Sequence, residues 1–303
     1  MLKYSWSEAG RLESIFLEIL DDPSKKEVLL YPICYCQLVR KLGTFEVSLD
    51  KLISCATKTF RTARVRWQDV LLELDLFQII LPSGEVIYGK DILRLRSHEN
   101  LRVSFLPEYR EVFYEIYSKF LKYWTVLSKV SSYSRRNTPA EGVYLASLIF
   151  NEELFGESLH YSQIQGMRFQ KDSDIFRVIE NLSTFYRELN EKKSADNSRI
   201  RIALSLLRDM RSPYYGVNTS KLRKDLESLE RDLSKGGRYF IVKISFTMGA
   251  NHGRSLFRRL ISRMVERIRN IGGRRWTLMS SEMAFCSSTE TCLIRQRRLQ
   301  IRS

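Results

Sequence analysis

The chain has 303 residues, with 50 Lys plus Arg against 35 Asp plus Glu, a formal net charge of +15, 44% hydrophobic and 12% aromatic residues. That much apolar surface offsets chain entropy and excludes wholesale disorder. No run approaches the ~18 apolar residues that cross a bilayer, and Met1-Leu2-Lys3-Tyr4-Ser5-Trp6 lacks the apolar stretch of a secretion signal. The expectation is an intracellular protein of cytoplasm or nucleus, with no membrane partner. Five cysteines (Cys34, Cys36, Cys55, Cys286, Cys292) without a Cys-x-x-Cys pair, beside three histidines, do not compose a zinc or iron-sulfur site. Buried free thiols in a reducing compartment are expected, with no metal and no cofactor.

Leu12, Ile15, Phe16, Ile19 and Leu20 recur at helical spacing, and Asp21-Asp22-Pro23 stops that helix. A second helix is predicted from Lys26 to Leu42, closed by Gly43. Pro32 means that it either starts near Tyr31 or kinks. Ser48 is suited to cap a short following helix. A further helix is predicted over Thr62 to Leu76, with Arg61, Arg64 and Arg66 at its opening. Phe77 to Leu81 and Glu85 to Tyr88 then flank Pro82-Ser83-Gly84 as a strand-turn-strand ribbon.

Helix, helix, helix and ribbon over residues 28–96 resembles the winged helix-turn-helix superfamily, over under a quarter of the chain. In that superfamily the third helix enters the major groove and the ribbon touches backbone or minor groove. The resemblance therefore implies nucleic-acid contact by Lys58, Arg61, Arg64, Arg66, Arg94 and Arg96. Residues 1–105 nevertheless carry 15 cations and 14 anions, and Asp69, Glu73 and Asp75 sit in the reading helix. A winged helix used for protein contacts is the competing expectation.

Pro107 to Val130 reads as a long helix with an aromatic stripe (Tyr109, Phe113, Tyr117, Phe120, Trp124), which is a packing signal before it is a base-stacking one. The polar run 131–139 is a domain boundary. Helices follow over Tyr144–Phe155, Ser173–Glu191 and Ser198–Met210. Leu222, Leu226, Leu229 and Leu233 form a short seam in a helix over Lys221–Lys235, capped by Thr219 or Ser220, which either docks on a neighbour or pairs with a protein partner or a second copy of the chain.

Residues 238–303 carry 14 Lys plus Arg, 13 of them arginine, against three Asp plus Glu. A strand over Arg238–Thr247, a glycine loop and a basic amphipathic helix to Ile271 are predicted, with Arg254, Arg258, Arg259, Arg263, Arg274 and Arg275 as phosphate-binding candidates. The Gly249–Ser255 loop suits an anion. It departs from the G-x-x-x-x-G-K-[ST] nucleotide pattern through Met248 and Arg254. No catalytic grouping can be composed; Asp172, Asp174 and Glu180 are the remaining acids for a metal-dependent nuclease, a minor alternative beside NTP binding. The expected class is mainly α (α+β): a winged-helix domain over 1–130, a helical region over 140–235 and a small basic β-α-β unit over 236–303 whose last ~18 residues form a tail. The function expected is DNA or RNA binding, as a transcription regulator or a non-catalytic subunit of a processing complex, with an interaction scaffold as the alternative.

Overall fold

A computed structural model describes residues 6–59, 66–130, 138–192, 195–235 and 239–247, all within one compact unit that runs to Thr247. It is mainly helical, with one four-stranded antiparallel sheet. Helix α1 (Trp6–Asp21) buries Leu12, Ile15, Phe16, Ile19 and Leu20, the residues its periodicity marks. A 3-10 segment, Pro23–Leu29, leads into α2 (Leu30–Leu42). Pro32 therefore falls in the first turn of α2, where its missing N–H costs no intrahelical bond. Gly43 ends α2 at φ 70°, a left-handed cap that glycine adopts without steric strain.

Strand β1 (Val47–Ser48) precedes α3 (Leu49–Thr59), with Ser48 Oγ accepting from the Lys51 N–H at 3.5 Å. Helix α4 (Trp67–Leu74) is shorter than the Thr62–Leu76 span predicted, because Arg66 is already extended (φ −67°, ψ 135°) and Asp75 caps at φ 52°. Strands β2 (Phe77–Ile80) and β3 (Val86–Tyr88) make the predicted hairpin. The Leu81 N–H donates to the Glu85 carbonyl at 2.9 Å, and Gly84 sits at φ 88°, the left-handed position that a three-residue hairpin loop requires. A 3-10 segment, Gly89–Arg94, follows, and then β4 (Arg102–Phe105), which the sequence reading did not anticipate. The sheet order is β1-β4-β2-β3, and β4 pairs Val103 with both Val47 and Ile79.

Tyr35 ties this layer together. Its hydroxyl donates to the Phe45 carbonyl at 2.8 Å and accepts from the Phe105 N–H at 2.9 Å, while its ring packs on Phe77 and Phe105. Burial pushes the Tyr35 phenol up to about 12. The expectation of free thiols is corrected at one pair: Cys34 on α2 and Cys55 on α3 form a disulfide with Cα atoms 6.0 Å apart, whereas Cys36 is free and buried.

The aromatic helix is split into α5 (Pro107–Arg110) and α6 (Phe113–Val130), and its stripe packs on the core: Tyr109, Phe113, Tyr117 and Phe120 are buried and Trp124 is half-buried. Helix α7 (Pro139–Asn151) starts earlier than predicted because Thr138 caps it, accepting from the Glu141 N–H, with proline in its first turn. Helix α8 (Phe155–Arg168) was not anticipated. Helices α9 (Ser173–Lys192), α10 (Ser198–Arg208) and α11 (Thr219–Ser234) complete the bundle, the last capped by Asn218 rather than by Thr219 or Ser220.

Two expectations change here. Leu222, Leu226 and Leu229 are buried within the chain and Leu233 packs against the same core, so this seam docks internally and is not free to pair two chains. The run expected as a strand is, over Tyr239–Thr247, an extended segment with only one bridge, Val217 to Phe246. Side chains replace the missing ladder. The Asn151 carboxamide exchanges two 2.8 Å bonds with the Ile244 backbone, and Tyr186 Oη donates to the Phe240 carbonyl and accepts from the Val242 N–H.

Candidate nucleic-acid interface

Of the cations singled out by the sequence, three have described side chains: Arg66, just before α4, and Arg94 and Arg96, on the connection after the hairpin. Arg66 stands just before α4 and forks onto Asp69, with both N–O distances at 3.0 Å. That pair is exposed, at 64% and 49% for the two side chains. Arg94 ends the 3-10 turn after β3 and contacts Asp91 at 2.9 Å, again in solvent. Arg96 and Lys90 are exposed on the same connection. Lys58 lies in the last turn of α3 with its side chain outside the described set. Arg61, Arg64, Arg254, Arg258, Arg259, Arg263, Arg274 and Arg275, and the Gly249–Ser255 loop, lie outside the described residues.

Helix α4 is constrained. Val70, Leu71 and Leu74 face the core, Asp69 is exposed and Glu73 is half-buried. Gln68 Nε2 donates to the Leu95 carbonyl at 3.2 Å, which holds the connection after β3 against α4. The outward side of α4 is thus short, acidic and partly covered.

A buried constellation of ionisable groups that the sequence does not reveal lies elsewhere. Between α1, α6 and α8, Glu157 is buried and takes Lys119 Nζ at 2.9 Å together with the Tyr123 hydroxyl. Glu13, also buried, meets His160 Nδ1 at 3.1 Å and Lys119 Nζ at 3.8 Å. A Cβ on Gly156 would lie 2.4 Å from Glu13 Oε1, so a side chain there would displace the Glu13 carboxylate. Burial first, and the neighbouring Glu157 second, raise the Glu13 carboxyl above the usual carboxylate value; Lys119 and His160 oppose that. The one signal in the sequence was an acid at an apolar position of the α1 repeat. Lysine, histidine and tyrosine already satisfy both carboxylates, which makes this a structural clasp.

The acids considered for nuclease chemistry are not brought together. Asp172 accepts from Tyr214 Oη at 3.2 Å, Asp174 meets Arg177 at 3.4 Å, and Glu180 accepts from Gln163 at 3.0 Å. Among the described residues no group of three or more His, Cys, Asp or Glu could hold a metal ion. Hydrogen bonding to the Asp172 carboxylate holds Tyr215 in its neutral form and pushes it up to about 12. No described helix is long and apolar enough to cross a membrane.

Together these features define a mainly helical protein with a small antiparallel sheet and exposed cations, Lys90, Arg94 and Arg96, on the connection after the β2–β3 hairpin. A protein of Aquifex aeolicus (strain VF5), described only as an uncharacterized protein, is 41% identical over 298 residues, which cover 98% of this chain and 95% of the relative; the chain belongs to that family. No family model and no solved structure matches it.

Proposed function

We propose that the protein binds nucleic acid without catalysing its chemistry, as a regulator or as a subunit of a nucleic-acid-processing assembly, and that it does so mainly through the phosphate backbone. The observation that carries this reading is the order helix, β1, helix, helix, hairpin, β4 with sheet order β1-β4-β2-β3, which sets exposed Lys90, Arg94 and Arg96 directly after the hairpin. That order is consistent with a winged helix-turn-helix module, in which ribbon cations meet phosphate. The excess of 14 cations over three anions in residues 238–303 adds a second basic region, mostly of arginine, the side chain that pairs bidentately with phosphate. The acidic, partly covered α4 disfavours base reading by that helix, which leaves the exposed cations after the hairpin as the phosphate contacts.

The test is fluorescence anisotropy of the full chain with labelled DNA and RNA, duplex and single-stranded, at low salt. Binding to unrelated sequences with similar affinity supports the reading. Absence of binding to all four contradicts it. A protein-contact module is the second reading, favoured by the exposure of Val86, Tyr88 and Leu93 on the same hairpin and connection. It expects Tyr88→Ala to release a protein partner while leaving nucleic-acid affinity unchanged.

A further inference from the structure

The hairpin leaves one edge of the sheet open. Strand β3 is the outer strand in the order β1-β4-β2-β3, with β2 on one side only. The register sets Ile80 opposite Val86, Ile79 opposite Ile87 and Gln78 opposite Tyr88. Because the Leu81 N–H donates to the Glu85 carbonyl, Leu81 and Glu85 form a hydrogen-bonded pair of the ladder, and antiparallel alternation makes Ile79 and Ile87 the next one. The N–H and C=O groups of Val86 and Tyr88 therefore point away from β2, and none of them has a partner among the described residues. Their side chains are 44% and 64% exposed.

Edge strands are ordinarily blunted by a charge or a proline, and Val86-Ile87-Tyr88 has neither. What limits this edge is its length, since Gly84 and Gly89, at φ 88° and 60°, turn the chain out of the strand at either end. A long extended peptide could use only three residues of it. A second copy of the same strand matches it. Antiparallel pairing about a two-fold axis at Ile87 sets Val86 of each copy opposite Tyr88 of the other, so the residues with open backbone groups satisfy each other twice. A shift by two residues would bring only one such pair together. The same register places a β-branched side chain against an aromatic one at both pairs, a favourable cross-strand combination. It also brings Glu85, at the start of one strand, beside Lys90, just past the end of the other. Both are exposed, and neither has an ion-pair partner among the described residues, so the two copies carry complementary charge at both ends of the contact. An exposed pair of this kind is weak; it orients the strands and leaves Lys90 able to exchange to a phosphate.

We propose that two copies of the chain associate by antiparallel pairing of β3 with β3, Val86 opposite Tyr88, which joins their sheets into one. The contact is small, so the dimer is weak and depends on concentration. It involves protein alone and stands or falls separately from nucleic-acid binding.

The experiment is sedimentation equilibrium of the full chain without nucleic acid, from about 1 μM to about 1 mM, the range in which so small an interface forms. Expected is a reversible equilibrium of monomer and dimer. Val86→Glu with Tyr88→Glu sets like charges opposite each other and should weaken association about ten-fold or more, as should Val86→Lys with Tyr88→Lys. Mixing the two double variants should restore association, because each carboxylate then faces an ammonium. Both positions are exposed, so the melting temperatures should stay near that of the wild type. The wild type alone supplies a second readout: amide hydrogen exchange at Val86 and Tyr88 should slow as concentration rises, while that at Ile87, already bonded to Ile79, should not change. Monomers at every concentration, which would leave the edge to a foreign extended peptide, overturn the proposal. So do a dimer that both like-charged variants leave intact, a mixture that stays monomeric, or exchange at Val86 and Tyr88 that ignores concentration.

Discussion

Two regions of the molecule hold charge in opposite ways. At the start of α4 and after the hairpin, Arg66 and Arg94 pair with Asp69 and Asp91 in open solvent, where water screens the attraction and an exposed pair contributes about 0–1 kcal/mol. Between α1, α6 and α8, Lys119, Glu13 and Glu157 are withdrawn from water, and each depends on the others to offset its desolvation. Charge that is cheap to separate can be handed to a phosphate; charge that is costly to separate holds the fold. A further contrast is covalent: the Cys34–Cys55 bond staples α2 to α3.

Breaking the clasp has the largest expected effect. Lys119→Met leaves two buried carboxylates facing each other and should lower the unfolding free energy by about 3–5 kcal/mol in urea titrations. A loss under about 1 kcal/mol would show that the clasp is solvated. Next is the staple. Its 21-residue separation gives a loss of about 3 kcal/mol for Cys55→Ser under oxidising conditions, on the loop-entropy account. The check is a denaturation curve for each protein with and without a dithiol reductant, in which only the wild type should shift.

A pH dependence sharpens the same comparison. The Glu13 carboxyl is raised in the fold, so the folded state binds the proton more tightly than the unfolded chain. Its contribution is fully present below the unfolded value of 4.5 and is lost as pH rises through the raised folded value. Glu13→Gln should therefore flatten stability across that window, read as the melting temperature against pH. An unchanged slope would mean that another group carries it. The smallest stability effect belongs to the hairpin: Arg66→Ala or Arg94→Ala should cost under about 1 kcal/mol.

Much of this was legible in the sequence, for identifiable reasons. Helices α1, α2, α9 and α11 and the β2–β3 hairpin declare themselves through apolar period and turn residues such as Gly43 and Pro82-Ser83-Gly84. Strands β1 and β4 did not, since two to four residues carry too little alternation and β1 meets its partner β4 only across a long stretch of chain, Val47 opposite Val103. Helix α8 was hidden because Gly156 and Gly166 suggest breaks, whereas Gly156 is required by the close approach of Glu13. The run at Tyr239–Thr247 has the composition of a strand, but Asn151 and Tyr186 occupy its backbone groups in place of a neighbouring strand. For the candidate interface, the sequence named the arginines and could not show that Arg66 would fork onto Asp69 or that Gln68 would tie the connection across α4.

The most direct test of backbone contact is the salt dependence of affinity for the full chain and for its Arg66→Ala, Arg94→Ala, Arg96→Ala triple variant, on one labelled duplex and one labelled single strand. Each lost phosphate contact should reduce the slope of log affinity against log salt by about 0.9 on duplex and about 0.7 on a single strand. The account predicts a clearly shallower slope for the triple variant with an unchanged melting temperature. Identical slopes for the two proteins would contradict it.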